Sequence, residues 1–181
     1  QPFRAIAHNG EINTLKGNYN WMKVHEQEMD SPLFEDMENL RPVIPAGSSD
    51  SAALDSVFEL LNISGQPAPL AKLMLIPDAW SKKSKTLSKD HQQLFNFLNS
   101  TMEPWDGPAA IAGTDNEWVI AATDRNGLRP MRYTITKDKI LCAGSETGMV
   151  ELDEKKIITK GRLGPGEIIG VRIEKGKVFT N

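Results

Sequence analysis

Apolar residues recur at helical spacing through the first hundred residues and at strand spacing after Pro104. Leu54, Val57, Phe58 and Leu61 stand at i, i+3, i+4 and i+7, a single stripe on a helix that follows the cap candidates Ser48, Ser49 and Asp50. Leu15, Tyr19, Met22 and Met29 form a looser stripe and predict a helix over 13–29. His91, Leu94, Phe95, Leu98 and Met102 form another behind the cap candidate Ser88, and a short helix over 69–75 ends ahead of Pro77. In this half only 2–7 reads as a strand, and it runs straight into His8-Asn9-Gly10.

Beyond Pro104 the pattern changes. Strands at 109–113 and 118–122 flank the turn Thr114-Asp115-Asn116-Glu117. Strands at 131–135 and 140–143 flank Thr136-Lys137-Asp138-Lys139. Strands at 156–160 and 167–173 follow, and Glu174-Lys175-Gly176-Lys177 turns the chain into 178–180. Helices gathered ahead of strands predict an α+β layer structure, with meandering antiparallel strands under a cover of helices. No repeat, low-complexity stretch or linker interrupts the chain, so 1–181 reads as one domain. Lys82-Lys83-Ser84-Lys85 reads as a mobile, solvated loop.

Composition narrows the classes of function. Lys and Arg number 21 against 24 Asp and Glu, a net charge of −3, and both signs are scattered. A nucleic-acid binder concentrates positive charge on one face, so that class is excluded. One cysteine, Cys142, cannot form an internal disulfide, which fits a reducing cytosol. No stretch approaches the ~20 apolar residues of a membrane helix, and no signal peptide opens the chain. The expectation is a soluble, cytoplasmic protein. His8, His25 and His91 lie at no metal-ligand spacing, so no metal site is expected. Cys142 falls inside Ile140-Leu141-Cys142-Ala143 and reads as a buried thiol.

Three segments carry candidate chemistry. In His8-Asn9-Gly10-Glu11-Ile12-Asn13-Thr14, a strand ending in Asn-Gly sets a side-chain amide beside an unobstructed backbone N–H. Two such donors suit an oxyanion formed by attack on a carbonyl, while Asn-Gly alone equally suits a turn. Ser48-Ser49-Asp50-Ser51 opens the best helix, and Asp50 suits either helix capping or a substrate ammonium group. Asp124-Arg125-Asn126-Gly127-Leu128-Arg129-Pro130 sets two arginines in a tight loop, either an anion site or Arg–Asp pairing that stiffens a long turn.

These segments follow one another in a recognisable order. Gln1-Pro2-Phe3-Arg4, the stretch from His8 to Thr14, Gly17-Asn18, Asn20-Trp21-Met22 and Ser49-Asp50-Ser51-Ala52-Ala53-Leu54-Asp55 come first. Residues 102–110, 124–130 and Lys160-Gly161-Arg162-Leu163 follow. Together they resemble the class II glutamine amidotransferase domain of glutamate synthase. Short elements of the HNG and SDS kind occur across class II amidotransferases; the combination of HNGEINT, EPWDGPAA and DRNGLRP is similar to glutamate synthase in particular.

The resemblance implies an N-terminal nucleophile hydrolase fold, an αββα sandwich of two antiparallel sheets between helical layers, incomplete over these residues. It implies glutamine hydrolysis by a cysteine at the mature N-terminus whose own α-amine is the base. On that pattern Asn9 and the Gly10 N–H match the oxyanion hole, and Gly10 and Asp50 match the contacts to glutamine. Ammonia would pass to a second site, where 2-oxoglutarate and reduced FMN complete glutamate synthesis. FMN and an iron–sulfur cluster are implied for the full-length protein, and no cofactor for these residues. The partners implied are an upstream cysteine-bearing segment, a downstream FMN synthase domain, and a small electron-donor subunit or ferredoxin.

The family's catalytic cysteine and a substrate-binding arginine lie upstream of the part matched by Gln1, so this stretch is expected to be inactive alone. Cys142 cannot stand in, because nucleophile and free amine must sit on one residue. The connection from Ala79-Trp80 to Met102 departs from the family pattern. A non-catalytic scaffold for assembly or ligand binding is the rival class, and a cysteine directly after an initiator methionine or propeptide separates the two.

Overall fold

The computed structural model describes residues 3–78 and 88–180. The expected loop Lys82-Lys83-Ser84-Lys85 lies outside the described residues. Strand β1 (Ile6–Gly10) opens the fold, followed by helices α1 (Leu15–Glu28), α2 (Asp50–Ile63), α3 (Ala68–Leu75) and α4 (Lys89–Thr101). Eight strands in all are described, the rest being β2 (Ala109–Thr114), β3 (Trp118–Thr123), β4 (Arg132–Thr136), β5 (Leu141–Gly144), β6 (Ile157–Arg162), β7 (Ile168–Arg172) and β8 (Lys177–Thr180).

The helices form where apolar stripes and caps predict them. Ser49 Oγ accepts the Ala52 N–H at 3.2 Å and caps α2, and Ser88 Oγ caps α4 through the His91 N–H. Leu54, Val57, Phe58 and Leu61 are all buried. They join Met22, Leu75, Phe95 and Leu98 in a core that packs the helices on Ile6, Ile111 and Ile120 of the first sheet.

All pairings are antiparallel, but they are not a single meander. One five-stranded sheet has the order β1-β2-β3-β7-β8, and a three-stranded sheet has the order β5-β4-β6. The chain leaves the first sheet after β3, builds the second, and returns with β7 beside β3. Sequence proximity favours pairing β3 with β4, yet Ala110, Ala121 and Ile169 are apolar on the face away from the helices. That face needs cover, and the second sheet supplies it. Met131 and Leu163, with Tyr133, Ile135, Leu141 and Ala143, close a second core between the sheets. Helices, sheet and sheet thus make three layers of the αββα arrangement among the described residues.

Two expectations that bear on the site are corrected. β1 begins at Ile6 rather than near Pro2, and it includes Asn9 and Gly10, so the Asn-Gly pair is strand and not turn. Cys142 is half-buried on β5 rather than buried. Among the described residues no helix is long and apolar enough to cross a membrane.

Candidate functional site

β1 is the edge strand of its sheet, and its hydrogen-bond alternation decides what the edge presents. Thr114 N–H donates to the Ala5 carbonyl and Glu11 N–H to the Pro108 carbonyl, both at 2.9 Å. With Asn9 opposite Ala110 in the same register, the odd-numbered residues within β1, Ala7 and Asn9, bond to β2 and the even-numbered ones face outward. The N–H groups of Ile6, His8 and Gly10 therefore point to the open edge.

Helix α2 lies along that edge and takes up part of it. Asp55, buried, accepts the N–H groups of Ala5 and Ile6 at 2.9 Å and of Arg4 at 2.8 Å. At the other end the Asp50 carboxylate accepts the Ile12 N–H at 2.8 Å. Between them His8 Nδ1 meets Ser51 Oγ at 2.7 Å. The Gly10 N–H is left on the edge between the Ser51 and Asp50 contacts. Asp50 is the first residue of α2, and Ser49, not Asp50, is its N-cap.

The Asn9 side chain lies on the opposite face from His8, as alternation along a strand requires. Its Nδ2 donates to Ser145 Oγ at 2.8 Å, just past β5 of the second sheet. One amide hydrogen is engaged and the other remains available. Asn9 and Ser145 therefore span the two sheets at the exposed end of β1.

Two glycines permit the close crossing that fixes this geometry. Asn13 N–H donates to the Asp106 carbonyl at 2.7 Å, so 11–13 runs against 106–108. A Cβ on Gly10 would collide with the Pro108 carbonyl oxygen, and one on Gly107 with that of Glu11. The Asp124 loop locks the outer side. Its buried carboxylate accepts the N–H groups of Ala109 and Asn126 at 2.9 Å and Leu128 at 3.2 Å. Arg125 pairs with Asp106 at 2.8 Å, so one arginine of that loop stiffens the turn. Residues 8–14, 49–55, 102–110 and 124–130 are thus brought to one place.

Charge at the site is biased. Burial opposes ionisation of Asp50, but the Ile12 and Ser51 N–H donors, the nearby His8 ring and the Ser51 hydroxyl outweigh it and hold its pKa below the usual carboxylate range. Burial pulls His8 below the usual histidine range; Asp50 and the Pro108 carbonyl pull the other way, and Arg129 adds to the lowering. His8 Nε2 is buried without a hydrogen-bond partner, the Pro108 carbonyl standing near the ring but outside bonding geometry. A neutral imidazole beside a carboxylate anion follows for neutral pH.

Sequence reasoning named Asn9, Gly10 and Asp50, and the fold brings them to the same end of β1. It missed Ser145, His8 and Ser51 as neighbours of the site, and it missed Asp55. The run of four polar residues at 48–51 was the available signal for Ser51, since one cap needs only one of them. Nothing local marks Ser145, which arrives from 136 residues away.

The chain belongs to the class II glutamine amidotransferases, whose family it matches over residues 1–181. It is 57% identical over 182 residues to the glutamate synthase [NADPH] large chain of Azospirillum brasilense, a match covering 100% of this chain and 12% of that one. It is 45% identical to the glutamate synthase [NADH] of Saccharomyces cerevisiae, over 98% of this chain and 8% of the relative. Among solved structures, it is similar to the glutamine phosphoribosylpyrophosphate amidotransferase of B. subtilis complexed with ADP and GMP. That match has TM-score 0.48 and 18% identity, covering 97% of this chain and 28% of the other. The chain thus spans about an eighth or less of the length of these glutamate synthases.

Proposed function

We propose that this chain is the substrate-binding and oxyanion-binding part of a glutaminase that releases ammonia from glutamine for glutamate synthesis within a longer glutamate synthase chain. One observation carries the reading: the Gly10 N–H faces an open strand edge, beside the Asn9 amide and within one residue pair of the anchored Asp50 carboxylate.

The chemistry follows from the groups present. When a thiolate adds to the glutamine carboxamide, the carbonyl oxygen becomes an anion, and the Gly10 N–H with the spare Asn9 amide hydrogen are donors for it. Asp50, ionised at neutral pH, suits the α-ammonium of glutamine. The nucleophile and its amine base are assigned to a cysteine elsewhere in the longer chain, because Cys142 is an internal residue whose backbone nitrogen is an amide and cannot act as the base.

Glutamate synthesis implies FMN and an iron–sulfur cluster, and this chain's donors do not fit the cluster. A cluster is held by several thiolates, whereas the chain has one cysteine and, among the described residues, no group of three metal-ligating side chains. Both groups belong to other parts of the longer chain, as does the contact with a small electron-donor subunit or ferredoxin. A cytoplasmic setting accords with the lone cysteine.

The test is ammonia release. The longer chain should hydrolyse glutamine, the 181 residues alone should not, and Cys142→Ala in the longer chain should leave hydrolysis intact. Turnover by the isolated 181 residues, or its loss in Cys142→Ala, would contradict the proposal.

A further inference from the structure

Three ties bind α2 to the edge of β1, and the middle one differs from the others. Asp55 and Asp50 hold backbone N–H groups, whereas Ser51 holds a side chain, the His8 imidazole, directly ahead of Asn9 and Gly10. Ser51 Oγ also lies 3.4 Å from Asp50 Oδ1, as donor. A hydroxyl has one hydrogen. If Ser51 gives it to Asp50, the Ser51 oxygen must accept from His8 Nδ1–H. The tautomer with its hydrogen on Nδ1 satisfies both contacts and leaves the lone pair on the buried Nε2, which makes no hydrogen bond.

We propose that His8 is a positioning residue: through Ser51 it orients the Asp50 carboxylate toward the substrate ammonium group. The proposal rests on the reading of Asp50 as a substrate contact. Asp50 Oδ2 is fixed by Ile12, and rotation about that anchor, limited by the Ser51 N–H, decides where Oδ1 points. The Ser51 hydroxyl restrains that rotation, and His8 restrains the hydroxyl. The ring itself faces Asp50 and Ser51 from α2, the Pro108 carbonyl from the segment before β2, and Arg129 from the loop after β3. Proton transfer is not part of this role. A second proton on Nε2 would be buried, would meet the Pro108 carbonyl only outside hydrogen-bonding geometry and would stand near the Arg129 cation, so the neutral ring is the working form.

The side-chain isosteres of histidine make the idea testable. Asparagine places a donor where Nδ1 stands, and glutamine places one where Nε2 stands. In the longer chain, His8→Gln and His8→Ala should raise the glutamine KM about five- to tenfold, with kcat nearly unchanged. His8→Asn should stay near wild type. Ser51→Ala should match His8→Ala, and the double variant should be no worse than either single one, because both break the same relay.

Losses that add in the double variant, a His8→Asn as impaired as His8→Ala, or a fall in kcat at unchanged KM would each overturn the inference. So would lowered melting temperatures without any change in KM, since that is what a purely structural histidine does. Should His8→Ala fail to fold, the exposed end of the relay is still read by Ser51→Ala and His8→Asn. Asp50→Asn, assayed alongside, separates the substrate role of Asp50 from the relay through Ser51. If it leaves KM unchanged, the substrate role of Asp50 fails. If it raises KM while the His8 and Ser51 variants do not, only the relay fails.

Discussion

The Asp50 carboxylate accepts the Ile12 N–H at 2.8 Å and thereby ties the first turn of α2 to the residue two beyond Gly10. Helix capping falls to Ser49, so the charge on Asp50 is not needed for the helix end. Asp50→Asn keeps an acceptor for Ile12 but loses the charge. It should raise the glutamine KM strongly and lower the melting temperature only slightly, because the charge that folding favours on Asp50 contributes some stability at neutral pH. Asp50→Ala removes both, and should also destabilise the fold by about 1–3 kcal/mol through the unpaired N–H. Kinetics and melting curves on both variants check this.

Gly10 is placed by contact. Its missing Cβ leaves room for the Pro108 carbonyl, which accepts the Glu11 N–H across the same crossing. In Gly10→Ala the two segments must part. We expect a loss of about 1–3 kcal/mol in stability together with a large fall in glutaminase kcat, because the oxyanion donor moves with the backbone. Wild-type melting and kcat would show that the crossing tolerates a methyl group.

Lys72 provides a pH-dependent check on the fold. Its ammonium group is buried beneath the Asp124 loop, donating to the Gly166 carbonyl at 3.3 Å. Burial brings its pKa down to about 8 against 10.5 unfolded, with Asp78 and Asp124 opposing the fall. Between those two values the unfolded chain binds more protons than the folded one, so stability contributed at this site rises with pH. At neutral pH the charged form is the burdened one. Lys72→Met should therefore gain on the wild type at pH 7, and the gap should narrow by about 2 kcal/mol on going to pH 9.5. Denaturant unfolding at the two pH values measures it, and a gap that is constant or widens contradicts the assignment.

The legible parts of the fold were those with strong local pattern. Four helices could be placed from stripes such as Leu54, Val57, Phe58 and Leu61, because a helix buries one face at a period that the chain displays. Strand partners could not. β3 is paired with β7 and not β4 because Ala110, Ala121 and Ile169 demand cover from a second sheet, and that demand is visible only in three dimensions. The site divides in the same way. Asn9, Gly10 and Asp50 stood out as residue types, whereas the Asn9–Ser145 and His8–Ser51 contacts join residues far apart in the chain. Lys72 and Asp55 sit on helix faces where the sequence pattern gives a charged residue no reason to be buried.

Asn9 is the decisive residue of the oxyanion site. Its amide should matter little while glutamine is bound in the ground state and greatly once the carbonyl oxygen carries charge, so the loss should appear in kcat. In the longer chain, Asn9→Ala should lower the glutaminase kcat about 10²- to 10³-fold, roughly 2.7–4 kcal/mol of transition-state stabilisation, with KM changed only slightly. A kcat within about twofold of wild type would contradict the central claim and leave Asn9 as a strand residue that bonds Ser145 and nothing more.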